Sequence, residues 1–343
     1  MANHKKKLVV GFCLCISVVL SACYPRPYVE VLRGNTMGTT YNISVYTKKR
    51  AVFLSLQKDI DALLTDINQQ VSTYIPTSQI SQVNTSSKNI PMVIGKHFAP
   101  PLRTALDIAK STDGIYDPTI GPLVNLWGFG PHKTQKKPSE ADIAQALASI
   151  GYQYVDLRME NGIATISKLK DDIQIDLSSV AKGYAVDQIA EYLLQRGFIN
   201  HLVEIGGEMR ALGKKGPHPW IVAIEKPIEG VRSPYKGFPL LNHSLATSGN
   251  YRNYFTQDHV NYAHTLHPKT GQPATSSLLS ASVMHKSCMQ ADALATALMA
   301  MGDQKAIAYV EKHKLDVFLI FRDEQHGLRH KKFGMFAMEV NTP

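Results

Sequence analysis

The 343-residue sequence has few cysteines, four in all, and three of them (Cys13, Cys15 and Cys23) fall within its first 23 residues. Only Cys288 lies beyond. An internal disulfide framework is therefore excluded for the body of the chain, and the fold must rest on its core. Long apolar runs are equally scarce. Leu8 to Val19 is an apolar run of 12 residues, short of the roughly 20 that a spanning helix needs, and no second long run follows. No internal repeat is present, which argues against a solenoid. Strand-like and helix-like segments mix without a βαβ rhythm. That argues against a doubly wound sheet and for an α+β fold of mixed sheets and helices.

Acidic residues are outnumbered, 28 against 37 Lys and Arg, for a formal charge of +9. Lys5, Lys6 and Lys7 carry three of these charges, leaving +6 without them. That excess is spread thinly, through Lys48-Lys49-Arg50, Lys136-Lys137, Lys214-Lys215 and Lys331-Lys332. Such pairs are solvated surface by default, and they also suit an anionic ligand or lipid head groups. The lysine triplet, the short apolar run and the small residues Ser21 and Ala22 have the form of a secretory signal. Leu20-Ser-Ala-Cys23 further resembles the bacterial lipobox, in which the cysteine is acylated and becomes the first residue. The expected organisation is a signal over residues 1–22 and a lipidated tether over 23–33, with 34–343 long enough for one large domain or two ordinary ones. Cys23 then holds the protein to a membrane of the cell envelope, inner or outer, on the periplasmic side. Nucleic acid is not an expected partner there.

Within the body, a helical apolar period from Ala51 to Val71 follows a strand-like Tyr41 to Tyr46. Residues 73–88 read as a polar loop, Pro100 to Ser111 as a helix, and 117–138, with four prolines, as an ordered loop. Ser139 marks a capped helix start. Further on, 163–166, 173–176, 220–224 and 317–321 are strand-like, and 180–195 and 291–301 helical.

Four clusters carry candidate chemistry. Asp176-Leu-Ser-Ser-Val-Ala-Lys-Gly-Tyr-Ala-Val-Asp187 turns from a strand into a helix, whose free N–H groups, with Lys182, suit a phosphate. Many turns without a ligand share that pattern. Glu204-Ile-Gly-Gly-Glu208 offers a turn or a close ligand approach. In the third, His264 and His267 stand three apart beside Lys269, without further His or Cys at zinc-site spacing. They are surface histidines or, better than metal ligands, a general base. Asp292 and Thr296, at i and i+4 of one helix, present oxygens on one face. That pair is either a ligand pair for a hard cation such as Mg2+ or a solvated face. Cys288 reads as packing.

In order, these clusters resemble the ApbE family of FAD:protein FMN transferases, over residues 34–322. The carrying motifs are Thr36-Met-Gly-Thr-Thr-Tyr41, residues 72–84, residues 113–130, the 176–187 stretch and Ile205-Gly-Gly. Residues 247–252, 264–271 and 291–296 complete the eight. The resemblance implies a single large catalytic domain of T-fold type. It implies FAD as substrate, Mg2+ as cofactor, and FMN passed to a Thr or Ser hydroxyl of an exported flavoprotein with release of AMP. It implies FAD contacts at Met37, Tyr74, Ile115, Tyr116, Asp117, Asp176, Lys182 and Leu266. Metal ligation is implied at Asp292, Thr296 and the Ser179 backbone, and His264 is the expected base. His267 departs from the family, which commonly has Asp there. Alternatives are an FAD pyrophosphatase, with water as acceptor, and a flavin-binding lipoprotein without turnover.

Overall fold

The computed structural model describes residues 26–49, 53–131, 136–228, 233–250, 254–258, 260–323, 325 and 327–338. Cys23 and the signal lie outside the described residues, as do Arg50, Tyr251 and Arg252. The main sheet has eight strands. Their order is β1 (Tyr28–Thr36), β2 (Thr39–Thr47), β6 (His201–Ile205), β7 (Glu208–Leu212), β10 (His243–Gly249), β13 (Leu278–His285), β14 (Asp316–Asp323) and β15 (Gly327–Lys332). Every neighbouring pair is antiparallel.

Both faces of this sheet are covered. In β14, Val317, Leu319 and Phe321 point into the main core, and Phe318 and Ile320 into a second one. Successive strand side chains point to opposite faces, so a strand buried on both reads as an unbroken apolar run. The main core is closed by helices α1 (Phe53–Val71), α3 (Ala99–Ser111), α6 (Ala181–Gln195) and α7 (Cys288–Met301). The second core lies under β8 (Trp220–Glu225) and β9 (Pro234–Leu240), a separate hairpin. Helix α8 (Asp303–His313) joins α7 to β14.

Strands β3 (Met92–Ile94), β5 (Ile163–Lys168) and β4 (Val155–Glu160) make a three-stranded sheet. A third cluster gathers Leu123, Trp127, Ile143, Phe255 and Leu266. It joins helices α4 (Gly121–Leu126) and α5 (Glu140–Leu147) to the hairpin of β11 (Tyr254–Gln257) and β12 (Val260–Ala263).

Several segments differ from the sequence expectation. The polar stretch 73–88 contains helix α2 (Gln79–Thr85), because Ser78 caps it through the Ser81 N–H and Ile80 and Val83 turn inward together. Pro122 sits in the first turn of α4, where its missing N–H costs nothing. Residues 173–176 are no regular strand. The Asn84 amide takes the place of a neighbour, bonding both the N–H and the C=O of Ile175, and Asp176 N–H donates to Pro118 O. The 220–224 strand is buried on one face only, with Ile221 exposed. Residues 28–33, read with the tether, belong to β1. The Ser139 cap is present, as a box with Asp142.

Candidate active site

Helix α7 is apolar almost all round, as a helix inside a core must be. From residue 291 to 301 only Thr296 is other than buried. The polar pair Asp292 and Thr296 therefore has one place to go, a notch facing α6 and β10. There the Thr296 and Ser248 hydroxyls lie 3.1 Å apart. One Asp292 oxygen accepts the Gly183 N–H at 2.9 Å, and the other faces Lys182 Nζ at 3.8 Å. Lys182 Nζ also approaches Glu208 Oε1 at 3.3 Å. Glu208 opens β7 directly after Gly206-Gly207, and its Oε2 is buried without a hydrogen-bond partner. Gly206 has φ of +62° and, were a Cβ present, would meet the Thr39 methyl at 2.9 Å. The turn holding Met37 is thereby pressed against the turn that delivers Glu208.

Two buried carboxylates thus share one ammonium. Burial pushes the Asp292 carboxyl up, and Lys182 opposes this without cancelling it. Burial and the nearby Asp292 charge raise Glu208 to about 8 against the pull of Lys182. Burial works against charge on Lys182 too, but Asp292 and Glu208 together outweigh it and hold the ammonium above its usual range. The Tyr116 hydroxyl lies 2.8 Å from Ser179 Oγ, and burial raises its pKa, with Asp292 and Asp176 contributing. Tyr74 is half exposed and donates to Phe129 O at 3.1 Å. Burial and then the Asp176 charge raise its phenol. The Phe129 ring meets His264 edge-on at 6.3 Å between centroids.

The structure therefore joins Tyr116, Ser179, Lys182, Asp292 and Thr296 in one notch, with Tyr74 and Asp176 beside it and His264 across Phe129. Ile115 packs on the main core. The Asp117 carboxylate is buried and engaged, accepting from Thr119 N–H, Thr119 hydroxyl and Tyr152 N–H. The Leu266 side chain sits in the third cluster. His267 Nδ1 accepts the Lys269 N–H at 3.2 Å, the bond an Asp carboxylate would make in this turn. Burial, then Lys305, lowers its pKa.

The sequence reading assigned no role to Glu208 or Asp187. Asp187 accepts the N–H groups of Cys288 and Met289 and the Ser287 hydroxyl, anchoring the N-terminus of α7. Arg210 holds it from the other side at 2.8 Å. The cap at Ser287 is visible locally; a partner a hundred positions earlier is not. Cys288 is buried, and burial raises its thiol well above the usual value, which suits packing rather than nucleophilic chemistry.

Among the described residues, no group of three or more His, Cys, Asp or Glu converges as a metal cage. The notch instead offers Asp292 and the Thr296 hydroxyl, with Ser179 beside Tyr116 and two carboxyl groups facing one ammonium. This fits a cation such as Mg2+, which keeps waters and shares phosphate oxygens.

Known proteins share this arrangement of sequence and fold. The ApbE family matches residues 37–320. The FAD:protein FMN transferase of Haemophilus influenzae is 40% identical over 98% of this chain and 99% of its own. That of Vibrio cholerae is 39% identical over 90% and 92%. Among solved structures, the flavin transferase ApbE from Vibrio cholerae superposes with a TM-score of 0.82 at 37% identity, covering 91% of this chain and 99% of that one. The apo flavinyl transferase ApbE of Pseudomonas stutzeri gives 0.81 at 33%, covering 92% and 98%. A chain that carries the motifs in order, the fold nearly entire and these identities end to end is a member of the ApbE family.

Proposed function

We propose that the chain is an FAD:protein FMN transferase that splits FAD at its pyrophosphate and joins FMN to a Thr or Ser hydroxyl of an exported flavoprotein. The observation that carries this is the notch of Asp292, Glu208, Lys182 and Thr296, where acid outweighs base beside a helix N-terminus. Asp292, Thr296 and the Ser179 carbonyl would hold Mg2+. Bound there, it would supply charge neutralisation on the phosphate oxygens. Lys182, at the first turn of α6, adds positive charge toward the same oxygens. Tyr74, Tyr116, Asp176 and the turn at Met37 would flank the flavin nucleotide. His264 would take the proton of the acceptor hydroxyl. The acceptor oxygen forms a bond to the FMN phosphorus, the pyrophosphate P–O bond breaks, and AMP leaves with that electron pair. Acylation of Cys23 would keep this domain beside envelope acceptors.

The test is direct. Purified protein with FAD, Mg2+ and a competent acceptor domain should yield a fluorescent, covalently labelled acceptor and AMP in equal amounts. Free FMN with AMP and no label would mark a pyrophosphatase. Stoichiometric FAD binding without AMP would mark a flavin-binding protein. Chelation of Mg2+ should abolish the label, and Asp292→Ala should lower the rate at least a hundred-fold.

A further inference from the structure

The two ends of the main sheet differ. One end carries the Met37 turn, Gly206-Gly207 and Glu208, and so the notch. At the other end β1 begins at Tyr28, beside Thr47 of β2. His201 and Leu212 pair there as β6 starts and β7 finishes. Between the two ends β1 runs nine residues, about 27 Å at the usual rise.

The Tyr28 end gathers positive charge from three separate parts of the chain. Lys48 and Lys49 follow β2, and the Tyr28 hydroxyl donates to the Lys49 carbonyl at 2.9 Å. Arg196 closes α6 and receives Lys49 Nζ on its carbonyl at 3.3 Å. Lys214 and Lys215 follow β7, tied in because Lys214 N–H donates to the Asn200 side chain while Tyr46 N–H donates to the Asn200 carbonyl. Arg196 is matched by Asp59 at 3.1 Å. Lys48, Lys214 and Lys215 are exposed, with no carboxylate within salt-bridge range among the described residues. Glu30 is the acid carried by the paired strands β1 and β2.

Exposed aliphatic side chains stand among these charges. Phe53 lies between the rings of Tyr28 and Phe198, at 6.5 and 5.9 Å. Their chain neighbours Leu54 and Ile199 are left 91% and 61% exposed. Basic side chains interleaved with bare aliphatics are what an anionic bilayer surface binds.

We infer that the Tyr28 end of the sheet is a docking face for anionic phospholipid head groups, and that it holds the notch on the side away from the membrane. The inference rests on the acylated Cys23 proposed above. Four residues, Tyr24 to Pro27, separate Cys23 from Tyr28, so the reach is at most about 17 Å. The charged end thus stays within about two Debye lengths of the head groups. The tether supplies proximity and the lysines supply orientation, which a single acylated residue does not.

The experiment uses the full chain purified from bacterial membranes, with Leu54→Cys labelled by a polarity-sensitive dye. The mass of the N-terminal peptide reports acylation independently. In vesicles of phosphatidylcholine with phosphatidylglycerol the dye emission should shift to the blue. In phosphatidylcholine alone, or in molar salt, it should not. The triple variant Lys48→Glu, Lys214→Glu, Lys215→Glu should lose the shift, with partition to anionic vesicles weakened on the order of a hundred-fold, while FMN transfer to a soluble acceptor stays unchanged. An unshifted emission on anionic vesicles, or an equal shift on neutral ones, overturns the docking face whatever the peptide mass shows. A peptide without acyl chains overturns the anchor alone, and the same vesicles still report docking.

Discussion

Lys182 balances two acids in the notch, so its loss should expose how the charges there are arranged. Lys182→Met leaves Asp292 and Glu208 buried without their cation, a defect that typically costs about 3–5 kcal/mol. Denaturant unfolding without Mg2+ should show a loss of that size, and added Mg2+ should recover part of it. If stability is unchanged, the acids are not depending on Lys182. His201 offers a separate reading of pH. It is buried, its Nδ1–H donates to Phe198 O at 2.7 Å, and burial lowers its pKa to about 4. The unfolded chain takes up this proton near 6.5 and the folded one only near 4, so stability is full above 6.5 and falls as pH drops through that window. The loss should approach roughly 3 kcal/mol, and His201→Leu should flatten the corresponding slope in melting temperature. Single residues were unevenly legible. Spacing put Asp292 and Thr296 on one helix face but left a cation pair and a solvated face equally open, whereas the approach of Glu208 to Lys182 is visible only in the structure.

Helices α6 and α7 form the element on which the notch depends, and their close approach turns on Gly183. A Cβ there would lie 2.8 Å from the Asp292 Cβ and collide with the Cys288 backbone. Gly183→Ala would gain about 1 kcal/mol of helix propensity yet should lose about 1–3 kcal/mol overall through overpacking. It should also displace the Gly183 N–H from Asp292, weakening Mg2+ dependence measured by titration of the transfer rate. Asp187→Asn tests the anchor at the N-terminus of α7. Loss of a buried charged acceptor for four donors, Arg210 among them, should cost about 1–3 kcal/mol, with Arg210→Met giving a similar loss by chemical denaturation. At this scale the sequence spoke clearly through the apolar period of α1 and the Ser139 cap of α5, whereas α7 was legible only from residue 291, inside its start at Cys288. It misled at 173–176, read as a strand, where the Asn84 side chain stands in for a neighbouring strand at Ile175, because nothing local announces a bond so far along the chain.

At the scale of the whole molecule, the α+β class was legible from mixed elements without a βαβ rhythm, and the ordered motifs carried the family and with it the single domain. The strand order was not, since the local hairpins β1–β2 and β6–β7 are joined by β2 pairing with β6, as Val45 with His201, far along the chain. Cys23→Ser should shift the protein from the membrane to the soluble fraction of cell lysates while leaving its FMN transfer rate in solution unaltered. Retention in the membrane fraction would refute the anchor. The antiparallel pairing of β1 with β2 has one further consequence. If Cys23 is acylated as proposed, any pull passed from Tyr28 along β1 would load the whole ladder from Tyr28↔Thr47 to Thr36↔Thr39 in shear. The nine paired positions would then bear that load together instead of peeling one at a time.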